Sequence, residues 1–464
     1  SSDTYLGTIT APLFTVNGGN QHGGEIPGGG TLSATVPSGS VYYTTDGTDP
    51  RLEGGNLAPG AILLSGAMTL PASGLVRMRA RVGGGDSWSP LSEATFYLER
   101  RATASDLRIT EINYNAARAN AVEAEAGASL AIPRLFNGGD FEFIEICNAS
   151  TSAVNLDGVT FTNGLTFTFP VTNLPAGGYV VVVEDLEAFE VRYGTGLPVA
   201  GQFAGTLGND GEHIAFATWN GTGIQDFTFD DEGTWPGRAD GFGSSLEIID
   251  PAGDYGDSEN WRSSSEYNGS PGAPGAGRDG RIVVNEVLTN TDLPAIDRIE
   301  LHNTTGASIP VTNWYLSDAN TNYRKFRISS GSIPAGGYLD WDENDFNANQ
   351  NLALSSYSGT IATAPTTVSD AAHGLSTGDV ITISGYGGIG AYNNTFEVTV
   401  PNADSFTIPV PFLDNHGTRG TYTSGEPFAL SSQGDDVWLL EADGAGKLLK
   451  FVDVVEFAAA RSSE

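Results

Sequence analysis

Short apolar segments with a period of two residues recur along this chain. Residues 75–82 (LVRMRARV) alternate apolar and basic side chains, and residues 142–148 (EFIEICN) set Glu145 between Ile144 and Ile146. Such alternation is typical of β-strands, in which neighbouring side chains point to opposite faces of a sheet. Glycine-rich turns separate these segments. The pattern therefore predicts an all-β protein.

One strand-and-turn pattern occurs twice. Residues 141–148 (FEFIEICN) and 175–179 (PAGGY) return as residues 297–303 (DRIELHN) and 334–338 (PAGGY). Recurrence of one pattern with variable loops is the signature of a duplicated structural unit. The sequence therefore predicts two tandem copies of one β-domain.

Four glutamates occupy matched positions in the two copies. Glu111 precedes Glu145 in the first copy, and Glu286 precedes Glu300 in the second. The first interval is longer because it contains residues 116–130, which are rich in Ala and Glu. This extra segment predicts either a helix of a few turns or a loop, as an excursion from the edge of the domain.

Composition breaks suggest where the domains meet. Residues 100–105 and the Gly/Pro-rich residues 272–280 (GAPGAGRDG) are predicted linkers. Short strand-like segments with Gly turns interrupt the second copy, which predicts a small β-barrel inserted at a loop tip. The predicted domains are 1–102, 103–276 and 280–464, with the inserted barrel at 356–426.

The first domain contains a strand followed by two turn signals, residues 41–50 (VYYTTDGTDP), and a second strand at 75–82. Together these segments resemble the small immunoglobulin-like domain found at the C-terminus of chitobiase-type glycosidases. The resemblance covers residues 5–98. It implies an accessory β-sandwich without catalysis.

Residues 107–275 carry an ordered series of short motifs, which include LDG at 156–158, PAGGY at 175–179, LGNDGEHI at 207–214 and DGFGSSLE at 240–247. This series resembles the lamin tail domain, an immunoglobulin-like β-sandwich of nuclear lamins and of bacterial secreted and surface proteins. Residues 281–464 resemble it as well, but they lack the closing motifs. We therefore expect the chain to be part of a longer protein.

The insert is similar to a different module. Residues 359–425 resemble the little β-barrel of phage tail proteins and, more distantly, of ubiquitin-activating enzymes, which implies a binding or spacing role. The predicted fold class is therefore all-β, with tandem immunoglobulin-like β-sandwiches and a small β-barrel inserted in the last one.

The chain is strongly acidic. It has 56 Asp and Glu against 22 Lys and Arg, a net charge of −34. Such a charge repels phosphate backbones and argues against nucleic acid as a partner. It suits divalent cations or cationic partners, and equally a solvated, self-repelling surface. No apolar run reaches the roughly 18 residues of a membrane span, so none is predicted.

Two sets of acidic residues are candidate sites. The matched Glu111, Glu145, Glu286 and Glu300 could pair to bind Ca²⁺ or to act as acid and base, or they could accept hydrogen bonds that hold the fold.

The second set is Asp340, Asp342 and Asn344, which have the spacing that begins a calcium loop. Glycine is missing at position six, and Asn351 stands at position twelve where a Glu is required, so a standard EF-hand is excluded. A looser surface Ca²⁺ site remains. Calcium is the one cofactor that the sequence suggests.

No Ser-His-Asp arrangement, phosphate-binding loop or His-rich metal motif is evident, so we expect no enzymatic activity.

The leading hypothesis is an extracellular, secreted or cell-surface protein that serves in structure, adhesion or assembly. Its partners would be other surface proteins or copies of itself. One alternative is the accessory region of a secreted hydrolase that binds carbohydrate or polymer; another is a fibre or phage-like particle component. Four aromatic residues could stack on sugars or pack in the core, namely Tyr42, Trp88, Trp219 and Trp314.

Overall fold

The computed structural model describes residues 9–26, 30–83, 87–289, 291, 296–346, 352–424 and 428–459. Short strands, mostly in antiparallel pairs, are the main secondary structure, and three short α-helices occur among the described residues. The predicted all-β class is confirmed. Four large hydrophobic cores lie within residues 14–96, 102–261, 282–452 and 354–422, the last nested inside the third in sequence.

The first sandwich packs two sheets around Phe14, Leu32, Met78 and Phe96. Its strands are β1 (Leu13–Val16), β2 (Gly19–Asn20), β3 (Gly24–Glu25), β4 (Leu32–Thr35), β5 (Ser40–Thr44), β6 (Ile62–Leu63), β7 (Gly74–Val82), β8 (Ser87–Trp88) and β9 (Ser92–Tyr97). One sheet has the order β2-β1-β4 and the other β3-β9-β7-β5-β6, with β8 paired to β7.

The second sandwich contains twelve of the strands and two helices. They are β10 (Arg100–Arg101), β11 (Leu107–Asn113), α1 (Ala121–Ala128), β12 (Phe143–Asn148), β13 (Val154–Asn155), β14 (Thr160–Asn163), β15 (Asn173–Leu174), β16 (Tyr179–Val183), α2 (Leu186–Tyr193), β17 (Val199–Gln202), β18 (Glu212–Ala217), β19 (Gly223–Phe229), β20 (Leu246–Ile248) and β21 (Trp261–Ser263). The main sheet has the order β17-β16-β12-β11-β20-β21, and β14-β18-β19 lies across the core from it.

Composition predicts a linker at residues 100–105, but its first two residues form β10. This strand pairs in parallel with β13, with Arg100 beside Val154. Arg100 also donates two hydrogen bonds of 2.6 Å to Asp106. The segment is ordered because its backbone groups and its charge find partners in the second sandwich.

The Ala-rich excursion contains the helix α1. Asn120 and Glu123 form a capping box at its N-terminus. Glu123 also accepts hydrogen bonds of 2.9 Å from Nε and Nη2 of Arg192 on α2, and both side chains are buried. The helix is thus held by a buried ion pair rather than by a large apolar face.

The third sandwich begins with β22 (Ile282–Leu288), β23 (Arg298–Asn303), β24 (Ile309–Pro310), β25 (Tyr315–Ser317), β26 (Phe326–Arg327), β27 (Ser332–Ile333), β28 (Tyr338–Asp342) and α3 (Glu343–Phe346). The chain then forms the insert, with β29 (Leu352–Ala353), β30 (Ser356–Ser358), β31 (Thr366–Ser369), β32 (Val380–Tyr386), β33 (Thr395–Glu397), β34 (Thr399–Asn402), β35 (Ser405–Ile408) and β36 (Arg419–Ser424). It returns to the host domain in β37 (Gly434–Ala442) and β38 (Leu448–Ala458).

The host domain has sheets β22-β23-β28, β24-β27 and β26-β25-β37-β38. The insert has two four-stranded sheets, β29-β36-β32-β33 and β30-β31-β35-β34, which enclose one core. It also contacts its host directly, since the Tyr315 hydroxyl donates to Asp379 at 2.9 Å and Arg324 donates to the Gly378 carbonyl at 2.9 Å. Four 3₁₀ turns also occur among the described residues: Gly139–Phe141, Gly237–Ala239, Ser258–Asn260 and Gly390–Tyr392.

An aromatic cluster joins the second sandwich to the third. Tyr267 packs against Tyr323 and Phe451, and Trp438 completes the cluster. The Tyr323 hydroxyl donates to the carbonyl of Phe242 at 2.8 Å. The two domains therefore share a partly apolar interface.

The helices in the described part of the chain are all too short and too polar to cross a membrane.

Candidate functional site

The structure brings the four matched glutamates together as two pairs. Glu111 on β11 lies opposite Glu145 on β12, and Glu286 on β22 lies opposite Glu300 on β23. A shift in strand register lies directly before each pair, between Ile109 and Glu111 in the first copy and between Val284 and Glu286 in the second. The duplicated sequence pattern therefore builds the same local pairing twice.

A third glutamate joins the first pair. Glu247 on β20 lies opposite Glu111 on the other side of β11, so the three carboxyl groups share one face of the sheet. They are 1%, 1% and 3% exposed for Glu111, Glu145 and Glu247 respectively. Sequence reasoning missed Glu247, although its position between the apolar Leu246 and Ile248 is the same signal that singled out Glu145.

A polar loop, residues 269–276, lies over these carboxyl groups, and we call it the cover. The Ser270 amide donates to Glu111 Oε1 at 2.8 Å, and the Gly272 amide donates to Glu145 Oε2 at 2.7 Å. Composition predicts a linker from residue 272, but this part of the chain instead packs onto the sheet. The reason is that its free backbone donors find buried carboxylate acceptors.

Two glycines in the cover allow this close approach. Gly269 has a φ of +92°, and a Cβ there would overlap Glu111 Oε1. A Cβ at Gly275 would overlap the carboxyl group of Glu247. The glycine content that suggested flexibility is therefore required by packing at these two positions.

Burial controls the ionisation of the three carboxyl groups. It raises the pKa of Glu111 well above its usual range, and the charge of Glu145 adds to the effect. It raises the pKa of Glu145 to about 7 against the opposing hydrogen bonds from Thr110 and Gly272. Burial also raises the pKa of Glu247, although Arg262 donates to its Oε2 at 2.9 Å. The group therefore retains protons near neutral pH.

A small cavity of about 200 Å³ adjoins the three glutamates and is also lined by Tyr179 and Arg262. A pair of carboxyl groups with raised pKa values can exchange protons with a bound molecule. However, Glu111, Glu145 and Glu247 each accept at least two hydrogen bonds, from the cover or from neighbouring strands. This arrangement favours the interpretation that Glu111 and Glu145 hold the fold together, over a role in Ca²⁺ binding or acid-base chemistry.

The second pair has a different environment. Glu286 is exposed and Glu300 is half-buried, with Glu300 Oε1 accepting from Asn285 at 2.7 Å. Asp340 on β28 lies opposite Glu300, so three acids form a row across the sheet β22-β23-β28. Arg298 lies 3.5 Å from Asp340.

The predicted calcium loop lies at the end of β28. Asp340 and Asn344 are exposed, and Asp342 is half-buried. Asp342 Oδ1 accepts hydrogen bonds from the amides of Asn344 at 2.9 Å and Asp345 at 3.4 Å, at the start of α3. Asn351, the twelfth position of the loop, lies outside the described residues. A Ca²⁺ site formed by Asp340, Asp342 and Asn344 stays a prediction.

Sequence reasoning missed another acidic group. In the described part of the chain, the one set of three His, Cys, Asp or Glu side chains with ligand atoms within 4.8 Å is Asp140, Glu184 and Asp185. Arg134 forms an ion pair of 2.5 Å with Asp185, whose carboxylate also caps α2. The sequence feature that could have revealed this group is the pair of adjacent acids, Glu184 and Asp185, directly after a buried strand.

The four candidate aromatic residues divide into two classes. Trp88 and Trp314 are buried in the cores, and Tyr42 is half-buried beside Trp88. Trp219, in the turn between β18 and β19, is 51% exposed. It borders a cleft between the first and second sandwiches.

The second sandwich is similar to a known family. Residues 100–231 match the family model of the Lamin Tail Domain. No curated protein matches this chain. A solved structure, of a DUF4876 family protein from Bacteroides thetaiotaomicron VPI-5482, is 13% identical over 32% of this chain, with a TM-score of 0.13. The match spans 45% of that protein's chain. The predicted lamin tail resemblance is thus confirmed for residues 100–231, an immunoglobulin-like β-sandwich.

Proposed function

We propose that this chain is a non-enzymatic extracellular protein, secreted or on the cell surface, in which β-sandwich modules act as rigid spacers for adhesion or assembly. Its partners are other surface proteins or further copies of the chain. The observation that carries the proposal is the way in which successive sandwiches are joined. Each joint contains ordered side chains that restrict rotation of one domain against the next.

The first joint centres on Asp157 of the second sandwich. Its Oδ2 accepts a hydrogen bond of 2.5 Å from the Tyr97 hydroxyl and lies 2.7 Å from Arg101 Nη2. The Arg101 guanidinium also lies 4.4 Å from the Tyr97 ring centroid and 4.6 Å from that of Trp219. A partly buried network of this kind holds both domains in one geometry.

The second joint combines apolar and charged contacts. Besides the cluster of Tyr267, Tyr323, Trp438 and Phe451, Arg278 lies 2.8 Å from the buried carboxylate of Asp453. Arg278 belongs to the Gly/Pro-rich segment, which composition predicts to be a linker. A segment that is bonded to both domains transmits force between them and does not let them rotate freely.

Small-angle X-ray scattering of the whole chain tests the proposal. We expect the wild type to give one concentration-independent profile that fits a single rigid arrangement. Asp157→Ala removes the acceptor at the first joint and should broaden the distance distribution. Asp226→Ala removes an exposed partner of His213 in the second sandwich and is the matched control. A wild-type profile that already requires a broad ensemble of domain arrangements would contradict the rigid spacer.

Protease treatment of intact producing cells tests the proposed location on the cell surface, because added protease cleaves a surface protein.

A second candidate function is the accessory region of a secreted hydrolase that binds polysaccharide. The exposed Trp219 at the edge of a cleft favours this candidate, because aromatic faces are suited to packing against sugar rings. Fusion partners in the full-length gene product distinguish the two: a catalytic domain supports the second, and an anchoring segment supports the first.

A further inference from the structure

A cleft of about 530 Å³ lies between the first and second sandwiches. Its volume is within the usual range for small-ligand sites, roughly 300–1,000 Å³. Its lining includes His22, Glu25, Glu93, Tyr97, Arg101 and Trp219. We propose that this cleft binds a glycan of neutral or amino sugars, with Trp219 as the surface on which a sugar ring stacks.

Trp219 is exposed but firmly positioned. It lies in a tight turn, in which the Thr218 amide donates to the Thr222 carbonyl at 2.9 Å and the Gly221 amide donates to the Thr218 carbonyl at 2.8 Å. A Cβ at Gly158, whose φ is +81°, would come within 2.9 Å of Trp219 Cβ. The tryptophan therefore rests against a glycine that leaves room for it, and binding needs little ordering of its backbone.

Part of the ring is already in contact with protein, since the Arg101 guanidinium lies 4.6 Å from its centroid. The side chain nevertheless remains 51% exposed, which is the highest exposure among the tryptophans of the described residues. The ring thus keeps an accessible apolar face at the border of the cleft. Covering this face with a sugar ring would remove apolar surface from water.

The rest of the cleft supplies polar groups around this ring. Glu93 has a half-exposed side chain, paired with Arg77 at 2.8 Å. Glu25 Oε1 accepts from the Arg101 amide at 3.1 Å, and His22 is oriented by packing edge-on against Phe14. Carboxylates and imidazoles near an aromatic face can accept and donate hydrogen bonds to the hydroxyl or amino groups of a sugar.

Charge narrows the class of glycan. The cleft lining has two carboxylates, Glu25 and Glu93, against one guanidinium, Arg101, which is itself paired with Asp157. Together with the net charge of −34, this balance disfavours anionic sugars and nucleic acids. Neutral sugars meet no such repulsion, and amino sugars gain attraction. This inference rests on the second candidate function, and its failure would leave the rigid spacer unaffected.

Calorimetric titration of the whole chain tests the proposal. The probes are neutral cellohexaose and xylohexaose, the cationic glucosamine hexamer and the anionic galacturonate hexamer. We expect a neutral or cationic probe to bind, and the anionic probe to bind at least about tenfold more weakly. Trp219→Ala should weaken binding about tenfold or more, while Trp219→Tyr retains part of the affinity. Tyr338→Ala is the control, because Tyr338 is 52% exposed and stacks on His302, outside the cleft.

Two results would overturn the proposal. One is that the wild type binds no neutral or cationic probe; the other is that Trp219→Ala binds such a probe as tightly as the wild type. Melting curves of both variants check the fold. If Trp219→Ala lowers the melting temperature and the wild type binds no probe, Trp219 serves only to hold the domain joint together with Arg101.

Discussion

Glu111 and Glu145 lie directly opposite each other on neighbouring strands, and each is 1% exposed. Two buried charges at this spacing repel strongly unless protons or cations neutralise them. Glu247 adds a third carboxyl group, and Arg262 is the cation bound to it. The arrangement is stable because the carboxyl groups accept hydrogen bonds from the cover and retain protons near neutral pH.

The first prediction concerns pH. The folded protein holds the pKa of Glu145 at about 7, above the usual value of 4.5. A raised carboxyl pKa means that the folded state binds protons more tightly than the unfolded state. Its contribution to stability is therefore present below about pH 4.5 and is lost as the pH rises through about 7. From this group alone we expect the free energy of unfolding to fall by about 3 kcal/mol between pH 4.5 and 8.

Urea unfolding of Glu145→Gln at several pH values measures this effect. The variant cannot ionise at this position, so the decrease in stability across the window should become smaller, whatever its stability at any one pH. Glu300→Gln changes the matched residue of the less buried second pair and is the control. Equal slopes for all three proteins would show that Glu145 ionises normally in the folded state.

The second prediction concerns the cover. Gly275→Ala places a methyl group against the carboxyl group of Glu247 and should destabilise the fold by about 1–3 kcal/mol. Gly306→Ala is the matched control, because no atom lies within 4 Å of a Cβ built there. Chemical denaturation gives both values. If both variants unfold at the wild-type urea concentration, residues 269–276 do not pack on the sheet as observed.

The third prediction concerns the Ala-rich helix α1. Glu123→Gln leaves the buried guanidinium of Arg192 without its anionic partner, which typically costs about 3–5 kcal/mol. We expect faster hydrogen exchange in α1 and α2. Glu125→Gln, on the exposed side of the same helix, should exchange like the wild type. Similar protection in both variants would mean that other contacts hold the helix.

The fourth prediction concerns calcium. If Asp340, Asp342 and Asn344 bind Ca²⁺, millimolar CaCl₂ raises the melting temperature and EDTA reverses the shift, because binding to the folded state stabilises it. Asp340→Asn should abolish the shift, and Asp226→Asn, an exposed acid of the second sandwich, should keep it. A wild type that melts at one temperature in both solutions would rule out this site.

Local sequence pattern determined much of the fold. The alternation around Glu145 predicts a strand that directs Glu145 away from the apolar face, and Ile144 and Ile146 indeed lie in the core. The recurrence of this pattern predicts the second pair, Glu286 and Glu300, in matching register. Periodicity and repetition are properties of neighbouring residues, so they can be recognised without a structure.

Tertiary structure alone decided which glutamate pair is buried. The main sheet of the second sandwich has six strands and a covering loop, whereas the matching sheet of the third has three strands. Glu247 and Gly272 reach the first pair across 100 or more residues of chain, which a local pattern cannot indicate. Gly and Pro content predicts a linker in an isolated segment, because composition reports conformational freedom. The same backbone becomes ordered once buried carboxylates offer acceptors to its amides, and that contact exists only in the folded chain.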